Sequence, residues 1–234
     1  YNGGASDPMK LVFSGLDKPM ELEAGECSTL EVQSPALFAR FARSLLSGEG
    51  RYADEPYSVW DGDAELKPKD SLLVIDNPLQ LPWDERGLTG TIVKHMEREY
   101  LEDEDLRRAI EDYQRSINSA LMALGLGMNA DWTFSQEWDF KRYLKFAGFG
   151  VYYQDGKSFL DNLLNFLSLA LDAGEKRAFV LVNLKTFLSE NDFKAFLDQV
   201  FFQKTKVLLL ENKQDGLYYE HERKRVVDLH FIES

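Results

Sequence analysis

The feature that most constrains the fold is a strand–helix–strand pattern near the C-terminus, between residues 178 and 212. Residues 178–183 (AFVLVN) and 207–210 (VLLL) contain no charged side chain, and apolar residues recur at helical spacing between them. Ser189, with Asp192 three residues later, is a capping pair that marks where this helix begins. Strands that are apolar at every position are covered on both faces, which is typical of parallel sheets with crossover helices. The sequence therefore predicts a βαβ unit in an α/β fold.

The rest of the α/β part is predicted from shorter patterns. Short strands are expected at 10–14, 20–23 and 28–33, with a further one at 57–60. Ser34 and Pro35 begin a helix that Gly48 ends. A buried strand is expected at 71–76, a strand at 149–153, a helix at 158–173 that is buried on nearly all sides, and a more exposed last strand at 225–232.

Residues 87–148 have a different character, because three helical patterns follow one another without a strand. The second pattern places apolar residues from Leu106 to Leu124 in steps of four and three, which approaches a coiled-coil seam. The third is expected at about 136–147. We interpret 87–148 as a helical leg subdomain inserted into a head domain of residues 9–86 and 149–234, and packed against a partner subunit or projecting from the head. Residues 1–8 resemble the remnant of a tag.

Composition limits the possible functions. The chain has 40 acidic and 27 basic residues, a net charge of −13, which argues against an extended nucleic-acid surface but not against basic residues gathered on one face or around a symmetric ring. No apolar run is long enough to span a membrane and no signal peptide is visible. The single cysteine, Cys27, is typical of a reducing compartment. A cytoplasmic location is expected.

The strand SLLVID at 71–76 is similar to the strand that carries a magnesium-binding aspartate in P-loop NTPases. A phosphate loop needs the pattern G-x-x-x-x-G-K-[ST], because backbone amides, a lysine and a hydroxyl must reach the phosphates and the metal. That pattern does not occur in the sequence. Asp76 is therefore either a remnant of such a site or part of a turn that ends the strand.

The order of these elements, together with four segments, resembles the CRISPR-associated Csn2 family of type II-A systems. The segments are SLLVID, ADWTFSQEWDFKRYLKFAGF, FVLVNLKTFLSENDF and KVLLLEN. The resemblance implies a P-loop-NTPase-like parallel-sheet core without a phosphate loop and without nucleotide binding, and an α-helical leg. It implies a homotetrameric ring that binds calcium, is not an enzyme, and takes linear double-stranded DNA by its end. It also implies a role in spacer acquisition beside the CRISPR integrase complex and the effector nuclease.

Basic side chains that could line such a ring are found in several clusters. Phosphate contacts would be independent of sequence and would weaken with salt. The alternative for each cluster is a solvated face balanced by nearby acids. The candidates are Lys141, Arg142 and Lys145, then Lys204 and Lys206, then Arg107 and Arg108, and near the C-terminus Arg223, Lys224 and Arg225.

Calcium needs six to eight oxygen ligands, usually gathered by a turn. By resemblance, an acid-rich hinge between leg and head is expected at 129–139, where Asp131 and Glu137 are the candidate ligands. Asp131 fits a turn cap equally well.

Two other functions stay open at this point. One is a divalent-metal-dependent NTPase or nuclease that uses Asp76 or Asp131. The other is a protein-binding scaffold without DNA affinity, which the acidic balance favours.

Overall fold

The computed structural model describes residues 8–83, 86–130, 133, 137–229 and 232–233. Of Arg86 only the backbone is described. It divides into two compact units. One, the sheet unit, combines Tyr1–Trp83 with Tyr153–Ser234, and the other, the helical unit, is Asp84–Tyr152. The proposed tag remnant lies outside the described residues except for Pro8.

The elements of the described chain follow in order. The strands are β1 (Met9–Phe13), β2 (Met20–Leu22), β3 (Cys27–Val32), β4 (Tyr57–Asp61), β5 (Ala64–Leu66), β6 (Leu72–Ile75), β7 (Ala178–Val182), β8 (Val207–Glu211) and β9 (Glu222–Val227). The α-helices are α1 (Pro35–Ser47), α2 (Pro68–Ser71), α3 (Arg86–Glu102), α4 (Glu104–Gly125), α5 (Phe140–Phe146), α6 (Phe159–Asp172) and α7 (Glu190–Gln203). Two 3-10 turns are found at Gly50–Tyr52 and Leu184–Phe187.

The central sheet has the strand order β6-β7-β8-β3-β9, and each of its four neighbouring pairs is parallel. β7, α7 and β8 form the predicted βαβ unit, in which all ten strand residues are buried. One face of the sheet shares a core with α1 and with the antiparallel sheet β2-β1-β4-β5, through residues such as Val180, Phe41 and Leu11. On the other face Phe179 of β7 meets Phe166 of α6 edge-on, with ring centroids 6.2 Å apart. The prediction of a doubly covered parallel sheet is confirmed.

Capping residues set the helix ends as the sequence predicts. The hydroxyl of Ser34 accepts the N–H of Leu37 at the start of α1, and Gly48 ends the helix at φ 63°, a conformation that costs glycine little. Ser189 and Asp192 form a capping box at the start of α7, and Ser158 and Asp161 form another at α6.

The structure differs from the prediction in several places. The short elements β5 and α2 were not predicted. Residues 149–154 form no strand, because the side chain of the buried Asn162 bonds the backbone N–H and C=O of Gln154. α5 begins at the N-cap Asp139, later than the expected helix at 136–147. β9 begins three residues before the predicted 225 and its described part ends at Val227, because it follows β3 in register from Cys27. α6 is not buried all round, since Leu171 is exposed.

The helical unit consists of α3, α4 and α5. Tyr100 of α3 stacks on Phe140 of α5 with ring centroids 4.7 Å apart and planes 8° apart. None of the residues of α4 is buried, and its apolar row includes the exposed side chains of Tyr113, Ile117 and Leu124. Among the described residues, no helix has the length and apolar character needed to cross a membrane.

Candidate functional site

The carboxyl edge of the parallel sheet is the place where open α/β sheets bind ligands, at the crevice where the connections of two neighbouring strands run in opposite directions. Here those strands are β3 and β8. β3 leads to β6 at the far edge of the sheet, whereas β8 leads to β9 on the other side of β3. The connection from β3 to α1 consists of two residues, Gln33 and Ser34, and Ser34 is already the N-cap of α1. A phosphate-binding loop is therefore absent at the point where a P-loop would follow its strand.

Charged side chains fill the interior beside this crevice. Lys185, which follows β7, places its Nζ 2.7 Å from Glu222 Oε1, 2.7 Å from Asp215 Oδ2 and 3.4 Å from Glu31 Oε1. Lys224 of β9 places its Nζ 3.2 Å from Glu31 Oε1 and also pairs with Asp215. The backbone N–H of Lys185 donates to Glu211 Oε1 at 3.0 Å. We name the set the carboxyl-edge cluster: Glu31, Lys185, Glu211, Asp215, Glu222 and Lys224.

Burial and charge act in opposite directions in this cluster. Burial raises the pKa of Glu211 to about 7, and the N–H and ammonium groups of Lys185 only partly oppose it. Burial would also raise the pKa of Asp215, but its hydrogen bonds to Lys185 and Lys224 lower it to about 2. The same bonds, with those to Glu222, raise the pKa of Lys185 against the effect of its own burial. Lys185 is therefore a fixed cation, and the partners of both Lys185 and Lys224 are carboxylates of the same chain.

The cluster has more acceptors than donors. Oε2 of Glu31 and Oε2 of Glu222 are buried and have no hydrogen-bond partner among the described residues. Thr29 Oγ1 donates to Glu222 Oε1 at 2.6 Å, so that oxygen is satisfied. Since Lys185 and Lys224 are already bound by carboxylates, a phosphate could reach them only by breaking these ion pairs.

The basic candidates of the helical unit differ in their partners. Lys141 Nζ lies 2.8 Å from Glu97 Oε2, Arg142 Nε lies 3.3 Å from Asp139 Oδ2, and Arg108 pairs with Glu104 at 3.3 Å. Arg107 donates to the backbone carbonyl of Leu101 at 3.1 Å and lies 4.0 Å from Glu111 Oε1. Lys145 is exposed and has no carboxylate within 4 Å among the described residues.

A groove of about 920 Å³ in the helical unit brings two of these candidates together. Arg107 and Lys141 line it with Glu97, Glu111 and Arg115, so basic and acidic groups balance there. The structure supports the balanced-face interpretation for Arg107, Arg108, Lys141 and Arg142, because each has an acidic neighbour.

Lys204 and Lys206 both line a cavity of about 430 Å³ in the sheet unit, at the amino ends of β7 and β8. Lys204 is the C-cap of α7, with φ 54°, and its Nζ lies 3.9 Å from the centre of the Phe201 ring. A cation at this position is stabilised by the negative end of the helix dipole. Lys206 is half-buried, and the described residues place no carboxylate within 4 Å of it.

The three basic residues of β9 have structural partners. Arg223 binds both oxygens of Glu23, at 2.6 and 2.9 Å. Lys224 belongs to the carboxyl-edge cluster, with its side chain 8% exposed, and Arg225 donates to the backbone carbonyl of Lys18 at 2.5 Å. The structure therefore assigns Lys224 to the interior of the sheet unit and not to a DNA-facing surface.

The calcium hypothesis rests on Asp131 and Glu137. Asp131 lies outside the described residues. Glu137 is exposed, and nearby Asp139 is already committed to capping α5, where it accepts the N–H of Arg142 at 2.9 Å. No group of three histidine, cysteine or acidic side chains suited to a metal ion is found in the described part of the chain. The described residues alone do not supply the oxygen ligands that calcium needs, and calcium binding stays a prediction.

Asp76, the candidate of the alternative enzyme hypothesis, is exposed just after β6, which is an edge strand of the sheet. Asn77 accepts the N–H of Leu79 at 3.2 Å, which is a turn of the kind that ends a strand.

Apart from Lys224, the residues of the carboxyl-edge cluster were not predicted from the sequence. A signal was present, because Glu31 and Glu211 each stand near the end of an otherwise apolar or uncharged strand. The pairing of Thr29 with Glu222, 193 positions apart, has no local sequence signature.

Comparisons with known proteins identify the family. No curated protein matches the chain. Among solved structures, a putative ABC transporter ATP-binding protein of Pyrococcus furiosus matches with a TM-score of 0.38 and 10% identity, over 92% of this chain and 96% of that one. The family model described as CRISPR-associated protein (Cas_Csn2) matches residues 53–230. Because that match covers most of the chain, the protein belongs to the CRISPR-associated Csn2 family.

Proposed function

We propose that this protein is a non-enzymatic DNA-end-binding protein that forms a homotetrameric ring and acts in the cytoplasm in spacer acquisition of a type II-A CRISPR system. The family match over residues 53–230 is the observation that carries this proposal. In this function the protein works beside the CRISPR integrase complex and the effector nuclease, and calcium, held by Asp131 and Glu137 with further oxygens, stabilises the hinge between leg and head.

The carboxyl edge of the sheet supports the non-enzymatic part of the proposal. A nucleotide would bind in the crevice between β3 and β8. That crevice lacks a phosphate loop, and the lysines beside it are neutralised by Glu31, Asp215 and Glu222. We therefore infer that the protein binds no nucleotide.

The exposed row of α4 supports self-association. Tyr113, Ile117 and Leu124 are 72%, 56% and 71% exposed, in a helix that is about 33 Å long at 1.5 Å per residue. An apolar groove of about 600 Å³ runs beside this row and is lined by Ile117 and, on α5, by Phe146. Contiguous apolar surface of this kind marks an interaction site, and its coiled-coil spacing suits a second copy of the same helix.

Analytical ultracentrifugation tests the tetramer. Ile117→Glu places a charge in the apolar row and is expected to reduce the tetramer to smaller species. Ser116→Glu adds the same charge at an exposed position beside the row and is expected to leave the tetramer intact. If the two variants have the same oligomeric state, the apolar row of α4 does not form the subunit interface.

The ion-pair partners of the basic residues indicate which of these residues should contribute most to DNA binding. A lysine already paired with a carboxylate gains less from a phosphate than an unpaired one, because the existing pair must first be broken. We therefore expect Lys145 and Lys206 to contribute more than Arg107, Arg108, Lys141 and Arg142. Lys204 is expected to lie between these groups, because its ammonium contacts the Phe201 ring and not a carboxylate.

The decisive experiment measures binding to a linear duplex and to a covalently closed circle of the same sequence, with calcium or a chelator, over a range of salt concentrations. The proposal predicts binding to linear DNA alone, weakened by salt and by chelator. Lys145→Ala with Lys206→Ala is expected to lower the slope of log K against log salt by about two, one for each lost phosphate contact.

The double variant Arg108→Ala with Lys141→Ala is the matched control, because it also removes two positive charges, but from positions that are ion-paired. Equal loss in both double variants would refute the ranking. Equal binding to circles would refute end recognition, and binding to neither DNA would favour the protein-binding scaffold. Cleavage of DNA or hydrolysis of a nucleotide with a divalent metal would refute the non-enzymatic assignment.

A further inference from the structure

Two acidic side chains of the carboxyl-edge cluster face each other across neighbouring strands. Glu31 of β3 and Glu211 of β8 are paired in the parallel register, so their side chains leave the same face of the sheet. Both residues are buried, with 0% and 3% exposed. Burial in this low-dielectric interior and the neighbouring charge of Glu31 both favour the protonated form of Glu211.

The surroundings do not neutralise both charges. The cluster contains four carboxyl groups and two ammonium groups, so complete ionisation would leave net negative charge in the interior. α7 contributes an aromatic ring, Phe193, whose centre lies 4.9 Å from Lys185 Nζ. The titratable and charged groups that act on Glu211 are Glu31 and Cys27 on β3, Lys185 after β7 and Glu222 on β9. Lys224 and Asp215 join the cluster through their contacts with Glu31 and Lys185.

One segment depends on this cluster for its position. Residues 212–221 connect β8 to β9 without regular structure, and residues 212–218 are exposed. Asp215 anchors the segment by pairing with both lysines, and Lys224 also donates to the carbonyl of Leu217 at 2.6 Å. Asp215 is the most exposed acid of the cluster, with its side chain 27% exposed. Opening of this segment would admit water to the other carboxylates.

We propose that Glu211, buried beside Glu31, holds a proton, and that loss of this proton weakens the hold of the carboxyl-edge cluster on segment 212–221. Once the proton leaves, hydration of the extra buried charge stabilises the open state. Segment 212–221 opens because its anchor, Asp215, is the least buried acid of the cluster. The inference does not depend on DNA binding or on ring formation.

The direction with pH follows from the geometry and from the raised pKa of Glu211. In the closed state burial raises the pKa of Glu211 to about 7, against about 4.5 for a solvated glutamate. The closed state therefore binds more protons between these values, and closure is lost as pH rises through 7. For these values the opening equilibrium rises about tenfold between pH 6 and 8.5.

Hydrogen–deuterium exchange of the full chain, corrected for the intrinsic pH dependence of amide exchange, tests this proposal. Protection of residues 212–221 is expected to fall about tenfold from pH 6 to 8.5, while protection of β1 and β4 stays constant. In Glu211→Gln the protection should not change with pH. Glu220→Gln, which removes an exposed carboxylate from the same segment, should behave as the unchanged protein does.

Glu31→Gln gives a second readout. Removal of the neighbouring negative charge lowers the proton affinity of Glu211, so the transition should move to lower pH. A merely structural role for Glu31 would change protection at all pH values without moving the midpoint. The proposal would be overturned if protection of residues 212–221 in the unchanged protein did not change with pH. It would also be overturned if protection in Glu211→Gln showed the same pH dependence as in the unchanged protein.

Discussion

Replacement of Lys185 by methionine is the most direct test of how the sheet unit tolerates charge in its interior. Methionine keeps most of the aliphatic length and removes the ammonium group. Glu222 and Asp215 each lose a contact of 2.7 Å, and Glu31 loses one of 3.4 Å. Lys224 remains, but its Nζ lies 4.0 Å from Glu222 Oε2. The substitution thus leaves Glu222, whose side chain is 1% exposed, without a close cation.

The magnitude follows from the cost of an unpaired charge. Removing one partner of a buried ion pair costs about 3–5 kcal/mol, because the other charge stays desolvated. Lys185 is 13% exposed, so screening by water reduces this cost only slightly. The total stability of a domain is about 5–15 kcal/mol, and at about 2–4 °C per kcal/mol the melting temperature should fall by about 10 °C.

Urea denaturation followed by circular dichroism at pH 7 measures this loss. Lys213→Met is the matched control, because Lys213 is an exposed lysine outside the cluster, and its effect should stay within about 0.5 kcal/mol. Adding Glu222→Gln to Lys185→Met removes the stranded carboxylate and should restore part of the lost stability. A loss below about 1 kcal/mol for Lys185→Met, or a double variant less stable than the single one, would refute the reasoning.

Three further predictions concern single residues. Asp215→Asn should cost about 1 kcal/mol at pH 7, less than the full pKa shift implies, because water screens this partly exposed carboxylate. The lowered pKa of Asp215 means that this contribution is present above the unfolded value near 3.8 and is lost as pH falls toward 2, so unfolding curves of variant and parent should converge in acid. Ser189→Ala removes the N-cap of α7 and should cost about 1 kcal/mol in urea denaturation, with Ser189→Thr nearly neutral; equal losses would argue against a hydroxyl cap. Gly48→Ala should destabilise by about 1 kcal/mol, because Gly48 has φ 63° and the new Cβ would lie 2.6 Å from Lys69 Cγ. Gly90→Ala in α3 places its Cβ within 4 Å of no atom and should stabilise by about 1 kcal/mol. If the two variants shift the melting temperature in the same direction, the conformational argument is contradicted.

Much of the fold could be predicted because its signals are local. A charge-free run of four or five residues fixes β7 and β8, and a serine with an aspartate three residues later fixes the start of α6 and α7. Errors arose where a contact outside the local pattern decides the backbone. Asn162 holds Gln154 in place of a strand, and β9 takes its bounds from β3.

The candidate site was less accessible to sequence analysis for the same reason. The basic residues were visible, but their partners were not. Lys141 is paired with Glu97, and Arg223 with Glu23, across gaps that no helical spacing predicts. Lys224 is a charged residue on an edge strand, where exposure is the usual expectation, yet the carboxylates beside it hold it inside.

The position of β3 between β8 and β9 has a consequence for synthesis of the chain. The antiparallel sheet is built from strands close together in sequence, so it can form soon after it leaves the ribosome. β3 is also made early, but both of its neighbours come at the other end of the chain, with Thr29 and Glu222 separated by 193 positions. At about 5–20 residues per second, the strand that becomes the centre of the parallel sheet spends about 10–40 s without a pairing partner. During that interval the nascent chain exposes both edges of β3 to other strands, and unpaired edges of this kind are prone to aggregation.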